Sequence, residues 1–125
     1  MTFQVELVSP EGIAYSGEAE MVVARTVGGG DIAFQPGHVP FIGVLAIWSV
    51  EVIRPGGGRD TFAVHRGFVQ VAGRKVSILS DVSEAAAEID VDRARAALGV
   101  DGEDPQEAEA RSRAEVRLRV AGVEA

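Results

Sequence analysis

Apolar and polar residues alternate along much of the first eighty residues. In the opening segment Phe3, Val5 and Leu7 are separated by Gln4 and Glu6, which is typical of a strand with one buried face. Similar short segments recur along the chain, over 13–15, 18–26, 32–34, 41–45, 49–54, 60–65, 68–71 and 75–79. The links between them are short and rich in glycine and proline, as tight turns are. The pattern predicts about eight to ten short strands that form an antiparallel β-sandwich.

A different pattern begins after residue 83, where alanine, arginine and glutamate dominate. Residues 84–88 favour a helix, and 90–98 predict a short helix with Asp90 as its N-cap. A second helix is predicted from Pro105, a residue favoured at the first helical position, to the neighbourhood of Val120.

These two helices are short and rich in alanine, so they are not expected to be stable alone. They must pack on the sandwich, on each other or on a partner. The predicted fold class is therefore α+β. It has a β-sandwich domain over 1–83, followed by a C-terminal two-helix antiparallel hairpin over 84–125.

Charge and composition narrow the function classes. The chain has 125 residues, a net charge of −7 and no cysteine. An acidic surface repels phosphate backbones and anionic lipids, so no nucleic-acid binding is expected. No run of about eighteen apolar residues is present, so no direct membrane insertion is expected. Without cysteine, disulfides and cysteine-ligated zinc are excluded.

The residues that catalysis requires are not grouped in the sequence. The chain has two histidines, His38 in a Pro-Gly loop and His65 in a predicted strand, and they match no metal-ligand spacing. Both are interpreted as surface or hydrogen-bonded histidines. The sequence therefore predicts no catalytic residue, no metal site and no enzyme activity of its own.

Four arginines crowd the second predicted helix: Arg111, Arg113, Arg117 and Arg119. One interpretation is a solvated helix face in which they pair with Glu109 and Glu115 at i,i+4 spacing. The other is a site for an anion or an acidic partner, because guanidinium groups match carboxylate and phosphate. The spacing alone favours the solvated face.

Three motifs follow one another along the chain. They are Pro36-Gly37-His38-Val39-Pro40, then Gly67-Phe68-Val69 with Val76-Ser77-Ile78-Leu79, then Ile89-Asp90-Val91-Asp92-Arg93-Ala94. Taken together they resemble the ε subunit of bacterial F-type ATP synthases, whose members share a Pro-Gly-His-x-Pro loop and an Ile/Leu-Asp-x-x-Arg-Ala motif. The resemblance covers nearly the whole chain.

The resemblance implies a non-catalytic rotor subunit of the central stalk, which couples proton flow to ATP synthesis. Its implied partners are the γ subunit and the c ring, with the α and β subunits added if the hairpin extends and inhibits ATP hydrolysis. The implied location is peripheral, at the cytoplasmic face of the bacterial plasma membrane. Asp31, His38 and Arg66 are the implied contacts with the c ring or γ, although Asp31 also fits a turn residue after glycines.

In some members of this family the folded hairpin binds ATP. The residues that match this motif are Glu84, Ile89, Asp90, Arg93, Ala94, Arg113 and Arg117. The structural alternative makes Asp90 a helix N-cap and Arg93 a surface residue of the first turn. Val100 stands where ATP-binding members carry an arginine, so we expect no resident cofactor and at most weak MgATP binding. The alternative function is an ATP-responsive small-ligand binding module that acts through the hairpin.

Overall fold

The computed structural model describes residues 2–28, 30–37, 39–98 and 105–122. The first part of the chain is built of short strands, and the described elements follow in this order. They are β1 Phe3–Ser9, β2 Gly12–Ala19, β3 Met21–Thr26, β4 Gly30–Phe34, β5 Phe41–Leu45, β6 Trp48–Ile53, β7 Arg59–Val64, β8 Gly67–Ala72, β9 Lys75–Ser80, β10 Ser83–Ala85, a 3-10 turn Ala86–Glu88, α1 Val91–Leu98 and α2 Pro105–Ala121. The predicted class, a β-sandwich followed by a helical hairpin, is confirmed.

The strands form one continuous sheet that folds over on itself. Its order is β10-β7-β6-β3-β5-β8-β9-β1-β2, and β4 pairs with β3 beside this path. Pairing among the described strands is antiparallel except between β1 and β9, which run parallel with Val5 opposite Val76. The β8–β9 hairpin, for example, places Phe68 opposite Leu79.

The interior of the sandwich is filled by inward-facing residues of the alternating strands. One cluster of buried residues joins them: Phe3, Val5, Leu7, Ala19, Val22, Ala24, Phe34, Leu45, Val50, Val52, Phe62, Val64, Val69, Val71, Val76 and Ile78. Because almost every strand contributes to this cluster, the sandwich has a core that does not depend on the helices.

Two sequence predictions need correction at the level of single elements. The predicted strand over 18–26 is two strands that meet at Glu20, whose N–H donates to the carbonyl of Ile53 at 2.8 Å. The helix favoured over 84–88 is also wrong at its start, because Ser83–Ala85 form β10 and pair with β7. Backbone pairing along the edge of β7 outweighs the local helix preference there. The domain division after residue 83 stays a prediction, and β10 spans that position.

The buried residues of α2 form two rows along the helix, one with Val116 and Val120 and the other with Ala114 and Leu118. Val116 and Val120 lie in a cluster with Ala63 of β7 and with Ile89, and Trp48 packs against the same cluster. Ala114 and Leu118 are buried as well, and α2 also packs against α1. The helix therefore lies between the β6–β7 part of the sheet and α1, which explains why buried positions alternate along it.

Candidate functional site

The first helix begins at the residue that the sequence indicates. The Asp90 side chain accepts a hydrogen bond from the backbone N–H of Arg93 at 3.1 Å, and its carbonyl accepts one from Ala94 at 3.0 Å. Asp90 is thus the N-cap of α1, as predicted. The cap fixes where α1 begins and so places Arg93 and Ala94 in its first turn.

Three charged or titratable side chains meet where the tail joins the sandwich, and we name His65, Glu84 and Arg117 the junction cluster. The Arg117 Nε–H donates to Glu84 Oε1 at 2.6 Å, and His65 Nε2 lies 3.0 Å from the same oxygen. His65 follows β7, Glu84 belongs to β10 and Arg117 to α2, so one carboxylate oxygen joins the sheet to the helix. Its partners make Glu84 a structural residue.

The environment of the junction cluster fixes its charges. Burial lowers the pKa of His65, and the hydrogen bond to Glu84 offsets that only in part, so the ring is neutral at pH 7. Burial alone raises the pKa of Glu84, but the hydrogen bonds from Arg117 and His65 outweigh it and the pKa is lowered. His65 Nε2–H therefore donates to an ionised Glu84. The Nδ1 atom of His65 is buried and has no hydrogen-bond partner within the described residues.

A small cavity adjoins the junction cluster. It has a volume of about 240 Å³ and is lined by Glu84, Glu88, Asp90, Arg93, Ala94 and Arg117. The structure thus brings together five of the seven residues matched to the ATP motif. The other two lie elsewhere, since Ile89 is buried with Val116 and Val120, and Arg113 faces Glu109 at 3.8 Å.

The cavity offers a nucleotide few free groups. Glu84 is bonded to Arg117 and His65, the Asp90 carboxylate caps α1, and Glu88 accepts the backbone N–H of Ala85 at 3.2 Å. Its volume also lies below the range of about 300–1,000 Å³ that is usual for small-molecule sites. The cavity is small, and three carboxylates but only two guanidinium groups line it.

The predicted rotor contacts lie at different places on the sandwich. Asp31 is half-exposed in β4 and forms an ion pair with Arg25, Nε to Oδ1 at 2.9 Å. Arg66 has a positive φ of 65° in the turn before β8, and its guanidinium pairs with Glu109 of α2. His38 lies outside the described residues.

An apolar row crosses the outer face of the sandwich, and we name it the outer row. Val44, Phe68, Leu79 and Val8 stand opposite one another on β5, β8, β9 and β1. Three of them are large and exposed, Val44 by 49%, Phe68 by 53% and Leu79 by 47%. An open groove of about 530 Å³ runs along the row, and Pro10 and Arg66 also line it.

One glycine allows two strands of the outer row to approach each other closely. Gly67 has a φ of +143°, and a Cβ at this position would lie 1.9 Å from the carbonyl oxygen of Leu79. Only glycine permits this approach of β8 to β9. The Gly67-Phe68-Val69 motif therefore positions the exposed Phe68 beside Leu79.

Sequence reasoning missed three features of these sites. The role of His65 as a buried partner of Glu84 depends on residues nineteen positions apart and leaves no local signal. Trp48 contacts arginines from β3 and α2, which is equally non-local. The outer row had a signal, because Phe68 is a large apolar residue at a polar position of an alternating strand.

Within the described residues, no cluster of three or more His, Asp or Glu side chains is placed to hold a metal ion. No described helix combines the length and the apolar character needed to cross a bilayer.

The fold defines a protein of two parts, a β-sandwich with an attached helical hairpin. Residues 2–86 match the family described as the ATP synthase delta/epsilon chain beta-sandwich domain. The ATP synthase epsilon chain of Streptomyces griseus is 46% identical over 119 residues, which is 95% of this chain and 94% of the relative. That of Thermobifida fusca is 48% identical over 122 residues, 94% of this chain and 83% of the relative. The chain belongs to the ATP synthase epsilon family.

Solved structures agree on the fold. A chain of the Euglena gracilis mitochondrial ATP synthase, in a structure of OSCP, F1 and the c ring, matches with a TM-score of 0.76 at 23% identity, covering 96% of this chain and 81% of that one. A chain of the Tetrahymena thermophila central stalk and c ring matches with a TM-score of 0.58 at 16% identity, covering 94% and 91%. Membership of the family confirms the predicted resemblance. It supports the predicted role of a rotor subunit over that of a separate ligand-binding module.

Proposed function

We propose that this chain is the central-stalk rotor subunit of a proton-translocating F-type ATP synthase. It binds the γ subunit and the c ring, and it transmits torque between them without an active site of its own. Its location is the cytoplasmic face of a bacterial plasma membrane, held there by its partners. Family membership supports this proposal, and the observation that carries it is the outer row.

The outer row has the character of a protein-binding surface. Soluble monomers rarely expose large contiguous apolar patches, and those that they expose are usually functional. Here Phe68 and Leu79 are about half exposed side by side, while Val69 and Val76 on the same strands fill the core. A stiff sheet that presents such a row gives a rotating partner a broad contact without bending. We assign this face to the γ subunit.

The contact with γ is tested by making the outer row polar. Phe68→Ser with Leu79→Ser is expected to weaken binding to purified γ by about thirtyfold or more, as the loss of a central interface contact does. Val39→Ser in the loop before β5 is the control, because Val39 is an exposed apolar residue outside the row. Equal binding by the double variant and the wild-type chain, with circular dichroism confirming a folded sandwich, would contradict the proposal.

The c-ring contact is assigned to the end of the sandwich that carries Asp31. His38 and Arg66 stay proposed contacts with the c ring or γ. Asp31 forms an exposed ion pair with Arg25. Exposed ion pairs contribute little to stability, so exchanging this pair for contacts with a polar loop of the partner costs little free energy. Asp31→Lys is expected to lower the yield of assembled complex, while Glu18→Lys on β2 leaves it unchanged. Equal yields for both variants would remove Asp31 from the interface.

The helical hairpin is proposed to act as a brake on ATP hydrolysis when it leaves the sandwich and extends towards the α and β subunits. In the described state α2 is docked through Val116 and Val120 and through the junction cluster. A chain that stops after Glu88 keeps β10 paired with β7 and removes both helices. The ATPase rate of a complex assembled with this chain is expected to rise with assembly preserved. An unchanged rate would show that the tail has only a structural role.

Binding of MgATP to the hairpin is proposed to be weak or undetectable. The cavity beside Arg93 is small, and its carboxylates already have protein partners. Isothermal titration of the isolated chain with MgATP measures this directly. Submicromolar affinity that disappears in Arg93→Ala would overturn the proposal.

A further inference from the structure

Trp48 contacts the sandwich and the tail through two cations. It is the one tryptophan of the chain, and it lies at the start of β6 beside α2. The Arg25 guanidinium carbon is 3.6 Å from the centroid of its ring, and that of Arg119 is 4.4 Å away. Both distances are within the range of a cation–π contact, for which tryptophan is the best ring. Arg25 belongs to β3 and Arg119 to the last turn of α2, so one ring joins the two parts of the molecule.

Two like charges at one ring repel each other, and Asp31 offsets that repulsion. Its carboxylate forms a two-bond ion pair with Arg25, Nε to Oδ1 at 2.9 Å and Nη2 to Oδ2 at 3.3 Å. The pairing of β3 with β4 places Arg25 opposite Asp31 and so fixes the contact. Neutralising Arg25 allows Arg119 to approach the ring.

Asp31 also responds to the charge on the tail. Its pKa is lowered chiefly by the hydrogen bond from Arg25, and the more distant charge of Arg119 acts in the same direction. A residue of the β3–β4 hairpin therefore interacts electrostatically with a residue of α2.

We propose that Asp31, Arg25, Trp48 and Arg119 form a coupling path by which the charge on Asp31 sets how tightly α2 docks on the sandwich. A cationic group of a partner that takes Asp31 away from Arg25 leaves two uncompensated cations beside Trp48, and the hold on Arg119 weakens. Because coupling is reciprocal, a docked tail makes Asp31 a poorer site for that cationic group. The path lies within one chain, so it stands or falls independently of the proposed function.

A double-mutant cycle on the full chain tests the coupling. Arg119→Gln is expected to speed hydrogen exchange of the α2 amides by about two- to fivefold, the size of one exposed cation–π contact. Asp31→Asn is expected to speed it as well, by less. Asp31→Asn is expected to add nothing in the Arg119→Gln background, since α2 then carries no cation at the ring for Arg25 to repel. Arg74→Gln in the β8–β9 turn and Glu18→Gln on β2 are the charge-matched controls, and neither should change the exchange.

A second readout separates coupling from a loss of structure. The carboxyl carbon of Asp31, followed by NMR, should titrate at a higher pH in Arg119→Gln than in the wild-type chain, and at the wild-type pH in Arg74→Gln. Trp48→Leu keeps an apolar side chain but removes the ring, and Asp31→Asn should then speed α2 exchange by less than it does in the wild-type chain. Additive effects in the cycle, or an Asp31 titration that ignores Arg119, would overturn the proposal.

Discussion

The sandwich and the tail are stabilised in different ways. In the described part of the chain the sandwich has a cluster of sixteen buried apolar residues drawn from most of its strands. The tail meets the sheet through a cluster of four, Ala63, Ile89, Val116 and Val120, and through polar contacts at its edge. The large cluster of the sandwich gives a cooperative fold. The small cluster under the tail gives a docked element that detaches at a much lower cost in free energy. One region can therefore remain rigid while the other changes its state.

The largest expected effect comes from opening the sandwich core. Phe34 is fully buried, and its ring lies 5.5 Å from that of Phe41. Phe34→Ala should lower the free energy of unfolding of the sandwich by about 3–5 kcal/mol, through lost burial and an unfilled cavity. Urea unfolding followed by circular dichroism measures the change. Phe68→Ala removes the same ring from an exposed site and should have a far smaller effect, so equal losses would contradict the separation of core and surface.

A cavity in the tail should lower the stability of the tail and leave that of the sandwich unchanged. Leu118 is fully buried in α2, and Leu118→Ala should destabilise the packing of the tail by about 2–3 kcal/mol. Hydrogen exchange of α2 should rise strongly while the β-strand amides stay protected. Glu115→Ala on the exposed side of α2 is the control. Loss of protection in both regions together would show that they form a single cooperative unit.

The junction cluster should contribute a smaller amount. Arg117→Gln leaves the Glu84 carboxylate with only His65, and it should weaken docking by about 1.5 kcal/mol, the value of a hydrogen bond to a charged group. Arg113→Gln breaks a longer and more exposed pair with Glu109 and should cost about 0.3–0.5 kcal/mol. Exchange rates of α2 in the two variants give both values. An equal effect from both substitutions would remove the special role of Glu84.

Acidification should have the smallest effect. The pKa values of His65 and Glu84 lie below their ordinary values of 6.5 and 4.5 in the folded chain. Protons therefore bind the undocked state more readily, and docking is strongest above pH 6.5 and weakens as the pH falls. The contribution of His65 to docking is lost first as the pH falls, and the contribution of Glu84 is lost below pH 4.5. Exchange of α2, corrected for its intrinsic pH dependence, should be faster at pH 5 than at pH 7, and His65→Gln should remove this difference.

Alternation in the sequence predicts the sandwich well, because each strand has one buried face and the turns between strands carry glycine or proline. Glu84 and Ala85 show the limit of that reasoning. This alanine- and glutamate-rich segment has local helix propensity, yet it forms a strand because it pairs with the edge of β7. The site divides in the same way. Asp90 could be identified as an N-cap because capping is local, whereas the separation of Arg113 from Arg117 and the burial of His65 depend on how α2 lies on the sheet.

The parallel pairing of β1 with β9 has a consequence for the order of folding. Val5 pairs with Val76, so the sheet cannot close until residues far apart in the chain have met, and loop closure of that size slows folding. The helices follow β9 in the chain and need β6 and β7 as their platform. We therefore expect the tail to dock last, on a sheet that has already formed.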